Sequence, residues 1–243
     1  MPCDSVCITI DMDWAHDDVL RYTLDAMIRR GLLATWFVTH DTPLISELCA
    51  AGHEVGLHPN FNDLLSGDKT EGDAEDILAN LLNIVPRAKC VRSHSLLQSS
   101  RLAALFVRHG FTHDANTFLP FDQLGLLSPW RGPSGLVHVS HGWEDDVFLS
   151  DVVDCPLPHE ALDMDGVFVF DFHPIHYYLN PIDYDDYEIC RGHLDDVTFL
   201  ASHARKPGSG GVADHLNELF DKLDDRGISC TRLVDLEPVM QSR

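Results

Sequence analysis

The chain has 243 residues, 44% of them hydrophobic and 23% charged, the composition of ordinary globular material and length enough for one large domain with a substantial core. Seventeen basic residues against 39 acidic ones give a formal charge of -22, which repels phosphate backbones and anionic lipid surfaces and argues against nucleic acid as a partner. No segment has the apolar length that spans a bilayer, and the start, Met-Pro-Cys-Asp-Ser-Val, carries neither a basic opening nor an apolar signal stretch, so a soluble cytoplasmic protein without membrane insertion is expected.

Val6 to Ile10 reads as a buried strand, and the segment from about Val19 to Arg30 as a helix opened by Asp17 or Asp18 and closed by Gly31. The unit repeats: Ala34 to Val38 is a strand, Leu44 to Ala51 a short helix ended by Gly52, and Glu54 to Leu57 a third strand. Ile77, Leu78, Leu81 and Leu82 give Asp73 to Ile84 a helical spacing that stops before Pro86. Cys90 to Arg92 is a brief strand, Ser99 to His109 a helix, and Phe111 to His113 another strand. From about Asn116 to Pro158 the chain is rich in Gly, Pro, Ser and Trp, with one strand at Leu136 to Val139, and reads as a substrate-binding insert in a single domain covering 1–243. Order returns with the strand Val167 to Phe172. Asp183 to Leu200 is ambiguous, and Val212 to Arg226 is an amphipathic helix ending at Gly227. Strands alternating with helices over short connections argue for parallel βαβ units, wound into an open sheet or closed into a barrel. The seven cysteines form no CxxC pair and read as reduced, mostly core residues.

The chemistry clusters where apolar strands run out. Asp11 and Asp13 lie two apart after β-forming residues, so they face the same way, and two close carboxylates are costly unless a cation or proton sits between them. The plain alternative is that one of them caps the next turn. His58 follows a strand and precedes Pro59, and neutral imidazole beside carboxylate suits zinc and related divalent ions. Arg92 supplies a permanent cation that lowers a neighbouring carboxylate's pKa and fixes its orientation, as a general base needs. His94 reads as a ligand, a substrate contact or a plain hydrogen-bonding residue. His173 and His176 follow the strand Val167 to Phe172; His173 suits proton donation to a leaving group, with His176 in a supporting, substrate-binding place. Trp130 and Trp143 either stack on a sugar or cover the barrel mouth, Trp143 being the candidate substrate contact.

In order, these motifs resemble the polysaccharide deacetylase family, carbohydrate esterase family 4 or NodB homology, over roughly Val6 to His176. The resemblance implies a distorted (β/α)7 barrel. Where that family has an Asp-Asp pair, this chain has Asp11-Met12-Asp13, implying Asp11 as catalytic base and Asp13 as metal ligand. A histidine pair four apart is here His58 with Asn62, and Arg-x-Pro-Tyr is here Arg92-Ser93-His94-Ser95. The late strand ending in a general-acid histidine matches Val169-Phe170-Asp171-Phe172-His173. Zinc rarely takes asparagine, so His94 is the candidate third ligand and the Asn62 carbonyl the fallback. The strings His58-Pro59-Asn60-Phe61 and Arg92-Ser93-His94-Ser95 look like those of a subgroup of deacetylase-like proteins linked to bacterial surface-polysaccharide synthesis. The expectation is a hydrolase holding one divalent metal, zinc or another transition metal, that N-deacetylates an acetamido sugar or surface-polysaccharide precursor. The alternatives are a hydrolase of small cyclic amides or imides on the same barrel, and a barrel that binds a glycan or metabolite without hydrolysing it.

Overall fold

The structure, a computed structural model, describes residues 5–66, 73–121, 128–150, 157–163 and 166–238. Parallel strands form its spine in the order β6-β7-β5-β4-β3-β2-β1-β9-β8, with only β6 antiparallel to its neighbour. Their ranges are β1 Ser5–Asp11, β2 Thr35–Val38, β3 Glu54–Leu57, β4 Cys90–Val91, β5 His113–Phe118, β6 Trp130–Arg131, β7 Val137–His141, β8 Trp143–Glu144 and β9 Val167–Phe172. β7 and β8 are two halves of one segment bent at Gly142. The first half pairs with β5 and the second with β9, and the Gly142 amide donates to Val169 O at 3.0 Å. That double pairing curls the sheet into the distorted barrel of the deacetylase type, in a single domain.

Side chains divide by strand alternation. Val6, Ile8 and Ile10 of β1 face the outer helices, in one core with Trp36, Leu57, Val91 and Phe170. Cys7 faces the interior with Phe37, Cys90, Ala115, Val169 and Leu233. The outer layer begins with α1 (Asp17–Arg30), which buries Val19, Leu20, Thr23, Leu24 and Met27. Its N-cap is His16, whose Nδ1 accepts from the Asp18 amide, rather than Asp17 or Asp18; Gly31, at φ +63°, ends it. Next come α2 (Leu44–Ala50), α3 (Asn62–Ser66), α4 (Ala74–Ile84) and α5 (Ser100–Arg108), with Asp73 and Ser99 as side-chain caps of the last two. The remaining helices are α6 (Asp145–Ser150), α7 (Pro174–Leu179), α8 (Tyr184–Arg191), α9 (Val197–His203) and α10 (Val212–Arg226).

The floor of the barrel is closed by the C-terminal segment. β10 (Cys230–Thr231) pairs with β1, and Leu233 and Leu236 insert into the interior. Glu54, buried at the start of β3, accepts from Thr35 Oγ1 at 2.7 Å, Cys90 Sγ at 2.7 Å and the Val234 amide at 3.0 Å. All of its bonds go to the scaffold. Two sequence expectations shift. The strand placed at Phe111 to His113 runs His113–Phe118, because its polar residues point into a hydrogen-bonded interior, and Leu136 to Val139 extends to His141. The ambiguous Asp183 to Leu200 holds α8 and the start of α9. No helix among the described residues is long and apolar enough to cross a membrane.

Candidate active site

At the carboxyl ends of β1, β3 and β4 three side chains converge. His58 Nε2 lies 3.1 Å from Asp13 Oδ1, His94 Nδ1 lies 3.3 Å from the same oxygen, and the two imidazole nitrogens are 3.3 Å apart. Asp13 Oδ1 is buried and has no hydrogen-bond partner. In a tetrahedral zinc site, bonds of about 2.0–2.1 Å put neighbouring donors roughly 3.4 Å apart. A near-equilateral triangle of two imidazoles and a carboxylate with that edge therefore fits a divalent cation. Burial pushes the Asp13 carboxyl up, but the His173, His58 and His94 imidazoles around it outweigh that and hold the group well below the usual carboxylate range. Asn62, the alternative third ligand, instead donates to Ser95 Oγ at 2.9 Å and braces the loop that carries His94.

Asp11, one pleat deeper, is tied to the interior. Arg92 is wholly buried, its guanidinium resting 4.6 Å from the centre of the Phe37 ring. Its Nη1 donates to Asp11 Oδ1 at 2.9 Å and also to Asp171 Oδ1; Nη2 donates to Thr9 Oγ1 at 2.9 Å and Nε to Ala115 O at 3.2 Å. Two carboxylates thus share one cation. Burial, together with repulsion from Asp11, raises the Asp171 carboxyl well above its usual range despite Arg92. That shift sets Asp171 toward its neutral form beside Asp11. The second oxygen of Asp11 lies 3.6 Å from His58 Nδ1.

Opposite this pair stands His173. Its Nε2 is 3.5 Å from Asp13 Oδ2, and its Nδ1 bonds Asp145 Oδ1 at 2.8 Å. Asp145, fully buried at the start of α6, also accepts from the His173 amide at 2.7 Å and from His176 Nδ1 at 3.0 Å. Burial alone would depress His173, but the Asp145 and Asp146 charges and bonds to Asp13 and Asp145 raise it well above the ordinary imidazole value. Asp145 is driven the other way: burial opposes its charge, and the two histidines hold it ionised. A cavity of about 230 Å³ opens beside these groups, walled by His94, Asp146, His173, His176, Tyr184 and Tyr187. A larger one, about 670 Å³, lies between α5 and the turn at Pro133 and Ser134, away from the converging groups.

Two further groups of possible ligands occur among the described residues, and neither suits a cation as well. Both oxygens of Asp145 are taken by N–H donors in the group with Asp146, His173 and His176. In the group of His141, Glu144 and Asp171, one Asp171 oxygen already accepts from the Arg92 guanidinium, whose positive charge would repel a second cation there.

The structure thus brings Asp11, Asp13, His58, Arg92, His94, His173 and His176 to one place. Trp143 departs from expectation. It is 0% exposed and packs on Phe148 beneath the site, so it has no surface to offer a substrate. Trp130 lies on the edge strand β6, stacked on His138. Asp145 and Asp171 were not anticipated as site residues; the run Glu144-Asp145-Asp146 after a tryptophan was the available signal for the first.

A family model described as WbmS-like polysaccharide deacetylase matches residues 8–191. Among solved structures, a candidate polysaccharide deacetylase involved in O-antigen biosynthesis from Bordetella bronchiseptica is 35% identical, with 89% of this chain and 90% of that one covered at a TM-score of 0.81. A family 4 carbohydrate esterase from Streptomyces lividans (11% identity, 99% and 100% covered, TM-score 0.52) and a Bacillus cereus polysaccharide deacetylase (13%, 97% and 95%, TM-score 0.51) share the fold. A search of curated proteins returned no match.

Proposed function

The chain belongs to the WbmS-like polysaccharide deacetylases, a family of enzymes acting on carbohydrate, and from that premise we propose that it is a metal-dependent N-deacetylase of an acetamido sugar in a surface-polysaccharide precursor. The observation that carries the reading is the flanking of the Asp13, His58 and His94 triangle by the Asp11 carboxyl group on one side and the His173 imidazole on the other. The Bordetella protein's link to O-antigen biosynthesis supports the substrate class. A divalent cation held by the triangle, zinc by its donor set, would supply Lewis-acid polarisation to the acyl group and to the attacking water.

The protein's own groups do the rest. Asp11, oriented by its bond from Arg92, takes the proton of the attacking water. His173 delivers a proton from Nε2 to the departing amine as the carbon-nitrogen bond breaks, while Asp145 fixes its Nδ1 and sustains its charge. The amides of Ser93 and His94 are engaged by Asn116 Oδ1 and Pro59 O, so in this reading the oxyanion donor of the loop is the Ser95 amide. His176 Nε2 is buried without a partner, and its place on the cavity wall suits it to a substrate hydroxyl or amide. His94 in the third ligand position favours hydrolysis over glycan binding alone.

Asp11→Asn should lower acetate release about 10²–10⁴-fold, the usual range for loss of a general base, while metal content stays that of the wild type. Normal turnover in that variant would rule out Asp11 as base. Turnover of cyclic imides without acetate release from acetamido sugars would move the function to the second substrate class.

A further inference from the structure

Trp14 directly follows a residue of the triangle, yet the mechanism above does not use it. Its backbone is costly. Asp13 and Trp14 have φ of 39° and 56°, and the Ala15 amide donates to Met12 O at 2.9 Å, so they occupy the two central places of a turn with both φ values positive. Such turns normally take Asn-Gly or Asp-Gly, and a bulky side chain there costs on the order of 1–3 kcal/mol. The turn is locked, with Met12 donating to Phe37 O at 3.1 Å and the Trp14 amide to Thr39 Oγ1 at 3.0 Å. Asp13 gains its place beside His58 and His94 from this turn, but a glycine after it would serve the backbone better than tryptophan.

The side chain supplies the reason. The Trp14 ring meets His94 at 5.2 Å and 76°, and the residue is 44% exposed. Across His94, Ser95 and Leu96 repeat the device with φ of 56° and 54°, and Leu96 lines the small cavity over Asp11 and Asp13. Two strained turns thus hold apolar side chains at the rim of the proposed catalytic centre. The remaining lining is mainly acids and imidazoles, which recognise hydroxyl and amide groups, with Ile175 and the Tyr184 and Tyr187 rings on the wall shared with His173 and His176; beside His94 the exposed aromatic face is that of Trp14. Resting on the deacetylase reading, we propose that Trp14 is a stacking platform for the C–H face of a pyranose ring of the substrate.

The test uses the full-length, zinc-loaded protein with N-acetylglucosamine and its β-1,4 disaccharide as probes. Binding is followed by titration calorimetry, contact with the ring by intrinsic fluorescence, and turnover by acetate release. Trp14→Ala should weaken binding about 5–10-fold, the scale of an aromatic contact, with metal stoichiometry unchanged, and Trp14→Phe should restore most of it. The sugar-dependent fluorescence change should vanish in both and survive in Trp130→Phe. A disaccharide-only effect places the platform under the neighbouring sugar; an effect on both probes places it under the reacting one. Unchanged binding in Trp14→Ala, metal loss in place of weakened binding, or no sugar binding by the wild type overturns the platform. Acetate release with unchanged binding in Trp14→Ala sinks the platform alone; Trp14-dependent binding without acetate release sinks the deacetylase reading alone.

Discussion

Arg92 joins stability to chemistry, because one buried guanidinium bonds two carboxyl groups and fixes the proposed base. Removing it leaves buried charge uncompensated, and Arg92→Met should destabilise the fold by about 3–5 kcal/mol, read as a lower denaturation midpoint. Asp171→Asn should be far milder, since the raised Asp171 carboxyl is already neutral and the amide keeps an oxygen for Arg92. Asp145 controls the other proton. Its charge raises the His173 pKa, so His173 stays protonated to higher pH and activity falls only as that proton is lost. In Asp145→Asn the raising anion is gone, the imidazole pKa drops, and the alkaline limb of the kcat profile should move to lower pH, with kcat itself down at least about 10²-fold. An unmoved alkaline limb would show that His173 is not the acid.

At the scale of elements, Gly142 is the position where the barrel is most sensitive to added bulk. A Cβ there would lie 2.1 Å from the Phe121 ring, which is itself packed against Phe168 and Phe170. Gly142→Ala should therefore cost about 1–3 kcal/mol by overpacking, visible as a lowered thermal midpoint. Elements with one apolar face were legible in the sequence: β3, β9 and α10 lie where periodicity and flanking glycines put them. β5 was placed too early, at Phe111 to His113, because Asp114-Ala115-Asn116 has no apolar alternation to carry the strand on, and only a polar barrel interior gives it partners, as when Asp114 accepts from the Asn116 amide. The site divides the same way. Asp11, His58, Arg92 and His173 stand at strand ends, which their own apolar runs announce. Asp145 looks like one more surface acid, because its burial arises from the pairing of β8 with β9, far away in sequence.

The whole molecule carries a formal charge of -22, and the triangle of Asp13, His58 and His94 is a further place where a cation relieves it. A metal bound only by the folded state should raise the thermal midpoint, by about 2.7 kcal/mol of stability at a hundredfold excess over Kd. In His94→Ala that gain should shrink by most of its value, and titration calorimetry should show the weakened binding directly. The segment from Val137 to Glu144 gives the molecule one more property. It is the last hoop of the cask, gripping one stave with its first half and another with its second, and it delivers Asp145 immediately afterwards. If that seam loosens, the acid side of the centre drifts from the base side while most staves remain bundled. Gentle heating or dilute urea should accordingly silence the enzyme before far-ultraviolet dichroism registers any loss of helix.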